Sequence, residues 1–106
     1  MTKIIAVTAC PSGVAHTYMA AEAIQNAAKA KGWDVKVETQ GSIGLENELS
    51  ASDIKDADIV LLTNDIGIKK EDRFTGKKIV RIGVSDAVKR ADAIMNKLEA
   101  LLAKIA

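Results

Sequence analysis

The chain is short of the residues that small folds most often lean on. Its 106 residues include one cysteine, one histidine and one proline, and one each of phenylalanine, tryptophan and tyrosine. A single cysteine excludes an internal disulfide and a multi-thiolate zinc site, and with no second histidine the lone one is no metal centre. Aromatics are 3% of the chain and no basic stripe interleaves with them, so nucleic acid is not an expected partner. The 15 basic and 14 acidic side chains nearly cancel, leaving a formal net charge of +1. No apolar run approaches a membrane span, and the opening Met1-Thr2-Lys3-Ile4-Ile5-Ala6-Val7 is too short for a signal peptide. The expectation is one soluble, cytoplasmic domain over residues 1–106. Direct membrane insertion, metal and cofactor are not expected.

What the chain does have is aliphatic and alanine-rich, 48% hydrophobic and long enough for a core without staples. Lys3 to Ala9 (KIIAVTA) is a short β-branched run that reads as a buried strand. A helix is expected from about His16 to Lys31, with Lys29 and Lys31 at its end and Gly32 as its stop. Asp34 to Thr39 alternates as a second strand, and Gly41 to Gly44 reads as a loop. Ser50-Ala51-Ser52-Asp53 resembles a capping box opening a short helix. Ala57 to Thr63 and Lys78 to Val84 supply a third and a fourth strand. Ser85 is expected to cap a final helix whose stripe is Val88, Ala91, Met95, Leu98, Leu102 and Ile105. Strands alternating with helices predict an α/β three-layer sandwich around a four-stranded parallel sheet, in order 2-1-3-4. Ligands of such sheets bind beyond the strands' carboxyl ends where the winding reverses, which is where Cys10 falls.

The rare residues meet in one place. VTACPSGVAHTYMAAEA, residues 7–23, holds the cysteine, the proline and the histidine within seven positions. Pro11 biases Cys10 to extended geometry, which ends the strand with the thiol at its tip. Gly13 permits tight curvature. From Ser12 through Gly13, Val14, Ala15 and His16 to Thr17, successive N–H groups can wrap an anion, and the Ser12 and Thr17 hydroxyls add donors. The same field favours a thiolate. A nucleophilic sulfur among phosphate-sized donors suggests phosphoryl transfer through a phosphocysteine.

Cysteine phosphatases follow the cysteine by five residues and then an arginine; here the sixth position is His16, followed by Thr17. Without the arginine fork to grip phosphate oxygens, a carrier that holds its phosphoryl group suits the loop better than a small cysteine-dependent phosphatase, the alternative reading. His16 either addresses the phosphoryl group or merely begins the helix. Asp65, after the third strand, either orients a loop donor such as His16 or shapes its own turn. Lys69, Lys70 and Arg73 read as solvated charge that can also draw in an acidic partner. Val14, Tyr18 and Met19 read equally as docking or as core residues.

Cys10-Pro11-Ser12-Gly13-Val14-Ala15-His16-Thr17-Tyr18-Met19-Ala20-Ala21-Glu22-Ala23 closely resembles the active-site region of the enzyme IIB component of the fructose-type bacterial sugar phosphotransferase system. The likeness continues through Val37-Glu38-Thr39-Gln40-Gly41-Ser42, Ala57-Asp58, Asp65 and Arg73-Phe74-Thr75-Gly76-Lys77. The resemblance implies a relay. A phosphohistidine on enzyme IIA passes its phosphoryl group to Cys10, which gives it to fructose or a fructose-like sugar held by membrane enzyme IIC. It implies the Ser12 to Thr17 cradle, places Gln40 and Gly41 near the site, and sets the protein at the inner face of the membrane through enzyme IIC. Asp65, after the third strand, is expected to face the Cys10 loop across the switch point.

Overall fold

The computed structural model describes residues 2–10, 14–41 and 44–105, the side chains of Val14 and Ile105 excepted. In chain order the elements are β1 (Lys3–Ala9), α1 (Val14–Ala30), β2 (Asp34–Gly41), β3 (Gly44–Glu46), α2 (Ala51–Asp56), β4 (Ile59–Thr63), β5 (Ile79–Ile82), α3 (Val84–Lys89) and α4 (Ala91–Ile105). A 3-10 turn, Glu71–Phe74, lies between β4 and β5.

β1 occupies the centre because it is apolar on both faces: Ile4, Ile5, Ala6 and Val7 are fully buried. β2 and β4 flank it in parallel, with Ala9 opposite Gln40 and Val7 opposite Leu62. β5 lies parallel to β4. The expected four-stranded, wholly parallel sheet in order 2-1-3-4 needs correction. The sheet has five strands in the order β3-β2-β1-β4-β5, and β3 runs antiparallel to β2. The added strand is three residues, GLE, too short to carry an alternation that sequence could reveal. β2 reaches past Thr39 to Gly41, and Gly44, at φ +105°, begins the returning strand opposite it.

Helices cover one face, where Ile4, Ala6, Val37, Ile59 and Leu61 of the sheet pack with Ala20, Ile24 and Ala28 of α1 and Met95 and Leu98 of α4. The small alanines let α1 lie close to the strands. On the other face Ile5, Val7, Val60 and Leu62 meet Leu49, Ile68 and Phe74, with Ile54 of α2 beside them. Each large aliphatic buried this way contributes about 1.5–3 kcal/mol.

Gly32, at φ +76°, reverses the chain after α1, and its N–H donates to the Lys29 carbonyl at 2.9 Å. The capping box opens α2: Ser50 Oγ accepts from Asp53 N at 3.1 Å, and Asp53 Oδ2 accepts from Ser50 N at 2.9 Å. The expected single final helix is two. α3 ends at Lys89 with Arg90 as its C-cap (φ −131°, ψ 31°), and α4 begins at Ala91. The break lets Val84 and Ala87 of α3, and Ala91, Met95 and Leu98 of α4, all reach the buried cluster. Ser85 caps neither helix; it lies inside α3, whose N-cap is Gly83.

Candidate functional site

Cys10 follows β1 at the carboxyl edge of the central strand. The winding reverses there, because β2 lies on one side of β1 and β4 on the other. Alternate residues of β1 face α1, among them Ile4 and Ala6, and the half-buried Cys10 packs against their cluster.

Two buried threonines fasten the backbone on either side of this junction. Thr63, the last residue of β4, accepts from Ala9 N at 2.9 Å and donates to the Ala9 carbonyl at 3.1 Å. Thr8 Oγ1 donates to the Thr17 carbonyl of α1 at 3.1 Å. The peptide before Cys10 and the first turn of α1 are therefore both tied to the sheet. Sequence reasoning passed over these residues. The available signal was a threonine near the end of each apolar run, where a hydrophobe would pack equally well.

Of the expected cradle, Ser12 and Gly13 lie outside the described residues, and Val14 contributes its backbone as the first residue of α1. Ala15 and His16 are exposed in that first turn. Thr17 is 1% exposed, and its Oγ1 has no hydrogen-bond partner among the described residues. No acidic residue occupies the first turn, so the positive end of the helix dipole is not offset there. His16 lines a cleft of about 160 Å³ with Met19 of α1 and Val84, Ser85 and Val88 of α3. Asp65 is exposed, and its Oδ1 accepts from Val84 N at 2.7 Å. His16 and Asp65 thus address the same end of α3, one across the cleft and one through a bond. Tyr18 and Met19 on α1 and Ile66 after β4 are exposed by 38%, 49% and 46%.

Gln40, the register partner of Ala9, is buried, and Gly41 closes β2 half-buried. The Gln40 carboxamide grips the Lys69 backbone in both directions: Oε1 accepts from Lys69 N at 2.8 Å, and Nε2 donates to the Lys69 carbonyl at 3.0 Å. Nε2 also donates to Glu38 at 2.8 Å. Glu38 is 0% exposed and receives Arg73 bidentately at 2.8 and 2.6 Å, and the Leu49 amide at 2.9 Å. Arg73 is therefore no solvated charge, which corrects the sequence reading. Burial alone would push the Glu38 carboxyl up; Arg73, then Gln40 and the Leu49 amide, outweigh it and hold the carboxyl below its usual range. The missed signal was the row Lys36, Glu38, Gln40, which repeats polar residues on one face of an internal strand. Such a face demands partners. Lys70, by contrast, pairs with exposed Glu48 at 2.8 Å.

Cys10 thus stands at the rim of a doubly wound sheet beside a helix start with no acidic residue in its first turn, and similarity to known proteins defines the class of the chain. Residues 5–97 match the family described as "PTS system, Lactose/Cellobiose specific IIB subunit", and the chain belongs to the IIB family of the sugar phosphotransferase system. Within that family it is of the fructose-like type. It is 77% identical over 106 residues, the full length of both proteins, to the PTS system fructose-like EIIB component 2 of Escherichia coli K12. It is 48% identical over 98 residues to the fructose-like PTS system EIIBC component of the same strain, covering 91% of this chain and 20% of that longer protein. The solution structure of the enzyme IIB subunit of the PTS system from E. coli K12 superposes with a TM-score of 0.91 at 40% identity, covering 97% of this chain and 95% of that one. An EIIB component of this type takes part in phosphoryl transfer during sugar import.

Proposed function

We propose that Cys10 is the residue that carries the phosphoryl group, taking it from a phosphohistidine of enzyme IIA and giving it to fructose or a fructose-like sugar bound by enzyme IIC. One observation carries this reading: a half-buried cysteine just past the end of the central strand, with the backbone before it and the facing helix turn both fastened by buried hydroxyls. In the first step the sulfur attacks phosphorus, the P–N bond breaks as P–S forms, and the thiol proton ends on the departing imidazole. In the second step P–O forms on the sugar, P–S breaks, and the hydroxyl proton returns to sulfur. Amide groups from Ser12 to Thr17 would hold the phosphoryl oxygens, and a fixed reactant geometry supplies much of the rate.

The orphaned Thr17 hydroxyl supports this reading, since a buried hydroxyl without a partner is one that a bound phosphoryl oxygen can satisfy. The E. coli EIIBC relative, which joins a IIB region to a longer chain, supports enzyme IIC as the acceptor. Among the described residues no helix is long and apolar enough to cross a membrane. On this reading the protein meets enzyme IIC from the cytoplasmic side. The test is to incubate the protein with phosphorylated enzyme IIA and map the added phosphoryl mass. Label on Cys10, lost in Cys10→Ala and discharged by sugar with enzyme IIC membranes, is expected. Label on another residue, or steady release of free phosphate without sugar, refutes the carrier.

A further inference from the structure

Building on that reading of Cys10, we propose that Lys69, held at the rim of the site by Gln40, is a docking cation for the phosphohistidine-bearing donor protein. Gln40 is the register partner of Ala9, the residue before Cys10, so the strand position paired with the end of β1 holds the backbone of Lys69 through its side chain. Both polar ends of the carboxamide are used in the grip, as an added strand would use its peptide groups. Ile68, 9% exposed, anchors the same segment from below.

The charges around this segment are engaged selectively. Arg73 is bound to Glu38, Lys70 to Glu48, and the Asp65 carboxylate accepts from the Val84 amide. Lys69 is exposed and forms no ion pair among the described residues. Its backbone is thus the point on which a buried carboxamide converges, while its ammonium is left for something outside the molecule. Exposed Ile66 lies three residues before it, and Tyr18 and Met19 of α1 are the other large apolar side chains left uncovered. Apolar contact beside a cation whose backbone is held fits a protein that brings negative charge into the interface. The donor does so, because its phosphohistidine arrives carrying the phosphoryl charge. The acceptor's substrate, a sugar, is neutral.

A rim charge acts mainly on encounter and on salt dependence. The experiment measures phosphorylation of Cys10 from phosphorylated enzyme IIA and, in parallel, from phosphoramidate, which transfers its phosphoryl group to sulfur and leaves as ammonia. In Lys69→Glu, KM for the protein donor should rise roughly tenfold with kcat little changed. Labelling from phosphoramidate should be as in the wild type, and the rise of KM with salt should flatten. Gln40→Ala should raise KM in the same direction, and adding Lys69→Gln to it should change little, because the backbone that carries the cation has already lost its hold. Lys97→Glu on exposed α4 is the control and should alter neither donor. An unchanged KM in Lys69→Glu, or equal losses with both donors, overturns the proposal. So does a defect confined to transfer onto sugar with enzyme IIC membranes, which would assign the cation to the acceptor. If wild-type Cys10 takes label from neither donor, the carrier reading itself fails; labelled wild type with an unaffected Lys69→Glu removes the docking role alone.

Discussion

Arg73→Ala is the sharpest probe of the scaffold under the site. Glu38 is fully buried and its charge is answered by two guanidinium bonds, one carboxamide bond and one amide bond. Removing the guanidinium leaves a buried carboxylate with two neutral donors, a change expected to cost about 3–5 kcal/mol. Against a total stability of about 5–15 kcal/mol the loss is large but measurable. With a urea slope of about 2 kcal/mol per molar, the midpoint should fall by roughly 2 M. The pH dependence separates charge from packing. In the wild type the folded-state carboxyl of Glu38 is lowered, so its stabilisation is present above the ordinary glutamate value and is lost as pH falls through the folded one. Without Arg73, burial dominates and the folded carboxyl rises above its ordinary value. Stability from that group is then fully present only at low pH and is lost as pH climbs. Urea melts at pH 7.5, 6 and 5 should therefore show the gap between variant and wild type narrowing on acidification. The double variant Glu38→Gln, Arg73→Met, which removes both charges, should be more stable at neutral pH than Arg73→Ala alone. A loss below about 1 kcal/mol at pH 7.5, or a gap that is the same at every pH, refutes the reasoning. Arg81, which grips Glu71 bidentately at 2.8 and 3.0 Å but at the exposed surface, is the contrast: Arg81→Ala should barely move the midpoint.

Thr63→Val keeps shape but strips two hydrogen bonds from Ala9; it should cost about 1–3 kcal/mol in urea melts and slow labelling of Cys10, with Thr63→Ser restoring both. Asp53→Asn should cost about 1 kcal/mol at pH 7, since the Asp53 carboxylate is held far below its usual range by Lys36 first, then by the Ser50 amide, with Lys3 adding to it. That stabilisation is present above the ordinary aspartate value and disappears as pH falls below it, so wild type and Asp53→Asn should converge in acid denaturation curves.

Periodicity exposed the elements whose signal is repeated along the chain. β1 lies where its β-branched run predicted, and the Ser50 capping box is built by the atoms its sequence implied. What periodicity hides is pairing between distant segments. β3 owes its existence to β2, not to anything in Gly-Leu-Glu, and the break at Arg90 serves packing against α1, with no proline or glycine at the break to announce it. The same limit governs the site. Cys10 and the start of α1 were conspicuous because rare residues cluster there. Thr63 and Arg73 were not, because a threonine ending a strand and an arginine in a loop are commonplace until the fold delivers Ala9 and Glu38 to them.

The distribution of buried polarity makes the functional edge distinctive on physical grounds alone. Among the described residues the buried polar side chains are Thr8, Thr17, Glu38, Thr39, Gln40 and Thr63. Five stand at or near the carboxyl ends of β1, β2 and β4, and the sixth is in the turn of α1 that faces them. The opposite half of the sheet buries isoleucine, valine, leucine and alanine, which suffice to hold strands together. Buried hydroxyls and carboxylates stabilise only when their partners are accurately placed, so they are a poor choice for cohesion and a good one for fixing backbone position. Here they fix the peptide before Cys10, the first turn of α1, and the backbone of Lys69. Thr17 and Thr39 each keep a buried oxygen without a partner among the described residues, and both stand at this edge. A fold that needed only to be stable would have placed apolar side chains at these positions. Concentrating polar groups at the sheet edge that carries Cys10 fits the transfer proposed for it, which needs a fixed backbone there.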